Sequence, residues 1–182
     1  MAISTLNVTT SQGQNWNAQN TITGLSSTTG NAGANTKSQT YSNATANNAL
    51  GGADEYFNFL ITIAGSGNAT IDLTNLIDIL QTAAVSLARL KSFQFQLLNL
   101  NDDPVNGTLC TEITIGDAAS NAQPLNIGAT GTYIMFTGGS WSYFDQTAGG
   151  FTVSSSLKNI KIVNNDASHA AAVRVQLTGG ST

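Results

Sequence analysis

The chain has 182 residues, enough for one domain with an appendage, and six Lys and Arg against ten Asp and Glu leave it a net charge of −4. Charged residues are 9% of the whole, far below the usual quarter, so no basic patch is available to displace counterions from a phosphate backbone; nucleic acid and anionic membranes are excluded as expected partners. The single cysteine, Cys110, excludes an intrachain disulfide framework, and no run approaches the length of a membrane-spanning helix.

Forty of the first fifty residues are Asn, Gln, Ser, Thr, Gly or Ala, and the only charged side chain among them is Lys37. The apolar residues of this stretch are thinly scattered: Ile3, Leu6, Val8, Trp16, Ile22, Leu25 and Tyr41. They offer too little area to fold alone, and without net charge nothing keeps copies of the segment apart. Residues 1–53 therefore read as an extended N-terminal arm ordered by a neighbour, with those seven residues as its candidate contacts. It contributes two expected strands, Ile3 to Thr9 and Gln19 to Leu25. The N-terminus lacks the basic and apolar runs of a signal peptide, so synthesis in a cytosol is expected, or a leader already removed.

The composition changes at Gly51-Gly52-Ala53, and residues 54–182 read as a separate domain. From Tyr56 to Ile63, Phe57, Phe59, Ile61 and Ile63 share one face of a strand. Gly65 to Asn68 turns, and Thr70 to Leu73 returns. Leu73, Leu76, Ile77 and Leu80 then fall at helical spacing, which predicts one short helical turn within Asp72 to Ala88. Alternation resumes from Leu87 through Phe93, Phe95 and Leu97, and Asn101-Asp102-Asp103-Pro104 ends that strand. Further strands are expected at Thr108 to Ile115, Gly131 to Phe136, Ser140 to Phe144, Phe151 to Val153, Asn159 to Val163 and Ala171 to Thr178. Strands at this spacing with Gly and Asn punctuation predict an all-β fold, an antiparallel β-sandwich of jelly-roll-like type.

Several of these segments carry a resemblance. Ile71-Asp72-Leu73-Thr74-Asn75-Leu76, Val85 to Lys91, Ile115-Gly116 with Ser120-Asn121, the Gly138-Gly139 turn and the run Leu157 to Asn165 resemble small β-sandwich proteins encoded among the virion genes of tailed bacteriophages. The likeness spans residues 70–180 and leaves out the arm. It implies a virion structural role, as capsid decoration or a fibre-like appendage, and brings no catalytic residue with it.

The residues that could do chemistry do not assemble into a motif. His169, the only histidine, lies in a loop without a Gly-x-Ser-x-Gly elbow, and a surface loop histidine is the expected role. Cys110 has no second Cys or nearby His for a zinc site and reads as a space-filling thiol. Asp54-Glu55 and Asp102-Asp103 are adjacent pairs whose side chains diverge on a strand, and the second lacks the spacing of a calcium loop. Gly65-x-Gly67 lacks the Lys and helix of a phosphate loop. The sequons at Asn7, Asn43, Asn68 and Asn106 number about what this composition yields by chance. No catalytic, cofactor or metal residue is expected. Trp141 and Tyr143 share a strand face, as core, subunit interface or a sugar-stacking platform.

The leading expectation is a non-enzymatic structural subunit of a symmetric assembly in a virion, a homo-oligomer that also contacts other virion proteins. The alternatives are an extracellular module that binds surface glycans through Trp141 and a bacterial extracellular filament subunit.

Overall fold

A computed structural model of the chain describes residues 8–12, 17–20, 28–31, 37–41, 53, 55–77, 84–144 and 149–181. Among the described residues all regular secondary structure is strand. The N-terminal region holds β1 (Val8–Gln12), β2 (Asn17–Asn20), β3 (Thr28–Asn31) and β4 (Lys37–Tyr41). The rest begins with β5 (Glu55–Ile63), β6 (Asn68–Asp72), β7 (Leu76–Ile77), β8 (Ala84–Val85) and β9 (Leu87–Leu97). It continues with β10 (Glu112–Gly116), β11 (Thr132–Phe136), β12 (Ser140–Phe144), β13 (Phe151–Thr152), β14 (Asn159–Asn164) and β15 (Ala171–Ser181).

Two antiparallel sheets pack face to face. One runs β12-β9-β15-β5, with β13 also on β9; the other runs β11-β10-β14-β6. Count the eight main strands in chain order, from β5 to β15 and leaving out the short β7, β8 and β13. The first sheet then reads first, eighth, third, sixth, and the second reads second, seventh, fourth, fifth. The chain passes from one sheet to the other at every step except the β10–β11 connection. That is the order of a jelly roll, two Greek keys wrapped around one core.

The period-two alternation explains the core. Phe57 and Ile63 of β5, Leu87, Phe93, Phe95 and Leu97 of β9, and Val173, Val175 and Leu177 of β15 face inward from one sheet. Ile71 of β6, Ile113 and Ile115 of β10, Met135 of β11, and Ile160 and Ile162 of β14 meet them from the other. Ala172 of β15 is buried as well, and Leu98, just past the end of β9, donates its N–H to the Ala172 carbonyl.

The helical turn expected between Asp72 and Ala88 is not present among the described residues of that stretch; residues 78–83 lie outside them. Leu76↔Val85 and Ile77↔Ala84 pair as a short antiparallel ladder. Leu73 and Leu76 are buried but Ile77 is 65% exposed, so the supposed helical face is split. The Asp72 carboxylate accepts the Thr74 N–H at 2.9 Å, an Asx turn that closes β6.

In the arm, β1 pairs with β4 from Val8↔Tyr41 to Gln12↔Lys37, and β2 pairs with β3 from Asn17↔Asn31 to Asn20↔Thr28. The second pairing nests within the first, so the four strands follow one hairpin path. The two strands expected from sequence overlap β1 and β2 only at their ends, and β3 and β4 were not anticipated; residues 3–7 and 21–25 lie outside the described ones.

Phe93 touches Phe95, Trp141, Tyr143 and Phe151, with ring centroids 4.7 Å from Trp141. Phe93→Ala should lower the unfolding free energy by about 3–5 kcal/mol, measured by urea denaturation.

Candidate assembly interface

The two lateral sides of the sandwich are built differently. On one side β11 and β12 are joined by a hairpin turn in which Gly138 has φ +75°, and the Gly139 N–H donates to the Phe136 carbonyl at 2.8 Å. This turn sets Tyr133, from one sheet, against Trp141, from the other: the rings stack with centroids 4.5 Å apart and 16° between planes. Phe95 lies 6.1 Å from Trp141, and Tyr143 packs on Phe151 at 4.9 Å. Trp141 and Tyr143 are thus brought together, as their shared strand face predicts. They are half-buried against the core, with Tyr133 lying where a sugar ring would stack.

Among the described residues the opposite side, between β5 and β6, stays open. Phe59 and Ile61 point inward in phase with Phe57 and Ile63 yet are only half-buried. They line a groove of about 370 Å³ with Thr70, Ile71, Asp72, Asn75, Leu76 and Ile77. Lys158 clamps Asp72 at 2.6 Å, and with the Thr74 bonds this holds its carboxyl below the usual range against the opposing effect of burial. Apart from Thr70 and Asn75, the remaining walls are apolar. On the outer face of β11, Ile134 and Phe136 are 52% and 64% exposed, a pair of large apolar side chains two residues apart on one strand face.

One end of the sandwich holds a polar hub that sequence reasoning missed. Asn164 is buried, and its amide donates to the carbonyls of Ile63, Ala64 and His169 at 3.2, 3.1 and 2.8 Å. Its oxygen accepts the Asp166 N–H at 2.9 Å and the Cys110 thiol at 3.2 Å. Ile160, Ile162 and Asn164 fall on one phase of β14, so alternation alone places Asn164 inward; that was the available signal, and the residue read instead as turn punctuation. Asp166 continues the hub. One carboxylate oxygen accepts the N–H groups of Ser168 and His169, and the other accepts the Thr111 N–H and hydroxyl and meets the His169 ring at 3.1 Å.

These contacts account for the reactive-looking residues. The Asp166 carboxyl is held well below the usual carboxylate range, chiefly by the Ser168 amide and then the His169 ring. Burial pushes the Cys110 thiol up, the opposite of what a nucleophile needs. The described bond of the His169 ring runs to Asp166, so the pair ties a loop. Asp103 accepts the Val105 and Asn106 N–H groups and an Arg174 bond at 3.4 Å, a turn of the kind expected. Among the described residues no three His, Cys, Asp or Glu side chains gather as a metal site.

Of the candidate arm contacts, Ile3, Leu6, Trp16, Ile22 and Leu25 lie outside the described residues. Val8 and Tyr41 are register partners at the end of the β1–β4 ladder. No protein-family model matches the chain, and no curated protein does.

Trp141→Ala should cost about 3 kcal/mol of stability in urea denaturation, as expected of a core-packed ring; a variant as stable as the parent would return Trp141 to a surface role. Asp166 gives a pH signature. Unfolded, its carboxyl takes up a proton near about pH 4; folded, it resists to lower pH. Its contribution is therefore complete above about pH 4 and disappears as the pH falls toward the folded value. Thermal melts from pH 5 to 2 should fall less steeply for Asp166→Asn than for the parent.

Proposed function

We propose that this chain is a non-enzymatic structural subunit of a symmetric assembly, of the kind that builds the capsid, capsid decoration or appendage of a bacteriophage virion, and that its N-terminal arm makes the contacts between subunits. The observation that carries this reading is the arm itself. It is a polar, nearly uncharged segment whose described strands form two two-stranded ladders, and it precedes a sandwich with a core of its own: among the residues whose burial is described, every member of the buried apolar cluster lies between Phe57 and Leu177. A two-stranded ribbon is marginal at best in water. Among the described residues the outer edges of β1 and β4 pair with no further strand, and uncharged side chains let the arm approach another surface without the desolvation cost of ions.

The fold and the surface lend support. A jelly roll is an architecture that viral capsid domains use, although lectin domains and cupins use it as well. The exposed Ile134 and Phe136 and the open groove beside β5 suit contacts between proteins. The glycan-binding alternative depends on Trp141 as a platform, and the Tyr133 ring stacked on Trp141 counts against that role.

Light scattering and electron microscopy test the proposal. The full chain should form a defined oligomer at micromolar concentration, and a chain lacking residues 1–50 should be a folded monomer. A strictly monomeric full chain would refute the assembly reading; a truncated chain that assembles normally would refute the role of the arm.

A further inference from the structure

Resting on that assembly reading, we infer that the acceptor of the arm is the free edge of β5, and that the ribbon of a second copy adds to it as an extra strand over the groove between β5 and β6. The hydrogen-bond parity of the sheet shows which groups are available. The Leu97 N–H donates to the Gly139 carbonyl and the Leu97 carbonyl accepts the Gly138 N–H, so Leu97 faces β12. Its neighbour Gln96 then faces β15, opposite Arg174, and Val173 and Val175 face β5. Their partners Ile61 and Phe59 are committed to β15, which leaves the N–H and C=O groups of Asn58, Leu60 and Thr62 directed along the open edge.

This edge lacks the protections that sheets ordinarily carry. It is nine residues long, without proline, and uncharged from Tyr56 to Ile63. The other sheet's edge on the same side, β6, has five residues and ends in the Asp72–Lys158 ion pair. Beside β5 the groove offers apolar walls from Phe59, Ile61, Ile71, Leu76 and Ile77, and Leu60 on the outer face is 40% exposed. An added strand would cover this line of half-buried side chains while its backbone pairs with the edge, the usual division between affinity and specificity in strand addition.

The occupant follows from the chain. Fifty-four residues precede β5 and enter it at Glu55, the end of this same edge. The described strands of that segment pair with one another and leave the outer edges of β1 and β4 open. With Lys37 as its one charge before Asp54, the segment meets an edge that repels nothing.

Full-length variants test this. Leu60→Pro removes an edge-directed N–H while sparing the β15 ladder, and Gln39→Pro breaks β4 while leaving the acceptor edge intact. By light scattering each variant alone should fall to monomer mass, and an equal mixture should recover a 1:1 complex, because one supplies the arm and the other the edge. Leu60→Lys, which charges the edge without touching the backbone, should repeat the loss if the proline variant does not fold by circular dichroism. Loss of assembly with recovery on mixing supports the inference. A parent that assembles while the Leu60 variants assemble equally well overturns it and leaves the assembly reading standing. Loss in the Leu60 variants without any loss in Gln39→Pro also overturns it, in favour of β5 pairing with β5. A monomeric parent overturns the assembly reading itself.

Discussion

The inner faces of two stacked sheets must be covered along their lateral sides as well as across the middle, and the rest of this structure depends on how that is done. Where β11 turns into β12, aromatic side chains reach across the gap and Trp141 is packed by Tyr133, Phe93 and Phe95. Where β5 turns into β6 no equivalent set exists among the described residues. The small Ala69 and the polar Thr70 stand on β6, the turn is short, and Phe59 and Ile61 remain half-exposed. A side chain of tryptophan size fills a gap between sheets from within; Ile61 and Ile71 leave room for something from outside.

Polar tethers hold the ends of the same framework. Asn164 takes five bonds at the place where β5, β14 and the loop before β15 converge. A buried amide left unpaired costs about 1–3 kcal/mol, so this site accepts few substitutes. Asp166 then fastens the loop through acceptor bonds that are strongest in its ionised form. Cys110, His169 and Asp166, which form no motif in sequence, take part in space in a set of ties with the thiol enclosed and the carboxylate engaged.

The fold class was legible because alternation is strong where a strand has one wet face. β12 matched its expected bounds, and β5, β9, β14 and β15 were found by the Phe, Ile and Val positions that now form the core. The error between Asp72 and Ala88 has a definite cause. Leu73, Leu76 and Ile77 have helical spacing, but Leu73 is buried from the turn after β6, Leu76 is buried from β7, and its strand neighbour Ile77 points to solvent. Two-residue strands such as β7 are too short for any period to register. The strand order was beyond reach of local pattern, since β5 and β15 lie at opposite ends of the domain. The site was less legible still: Trp141 and Tyr143 were marked by residue type, whereas the groove depends on what is absent beside Phe59, which no pattern along one strand can reveal.

The place of β15 in the sheet has a consequence for biosynthesis. It is the last of the strands in chain order yet lies between β5 and β9, pairing with both along most of its length. A ribosome-bound chain that has exposed β5 and β9 therefore lacks the strand that joins them, and β5 cannot settle beside β9 until the residues after Asn165 emerge. Such long-range closure makes folding slow and late. It also acts as a quality check, because a chain cut short anywhere before β15 has no way to complete a sandwich that could enter an assembly.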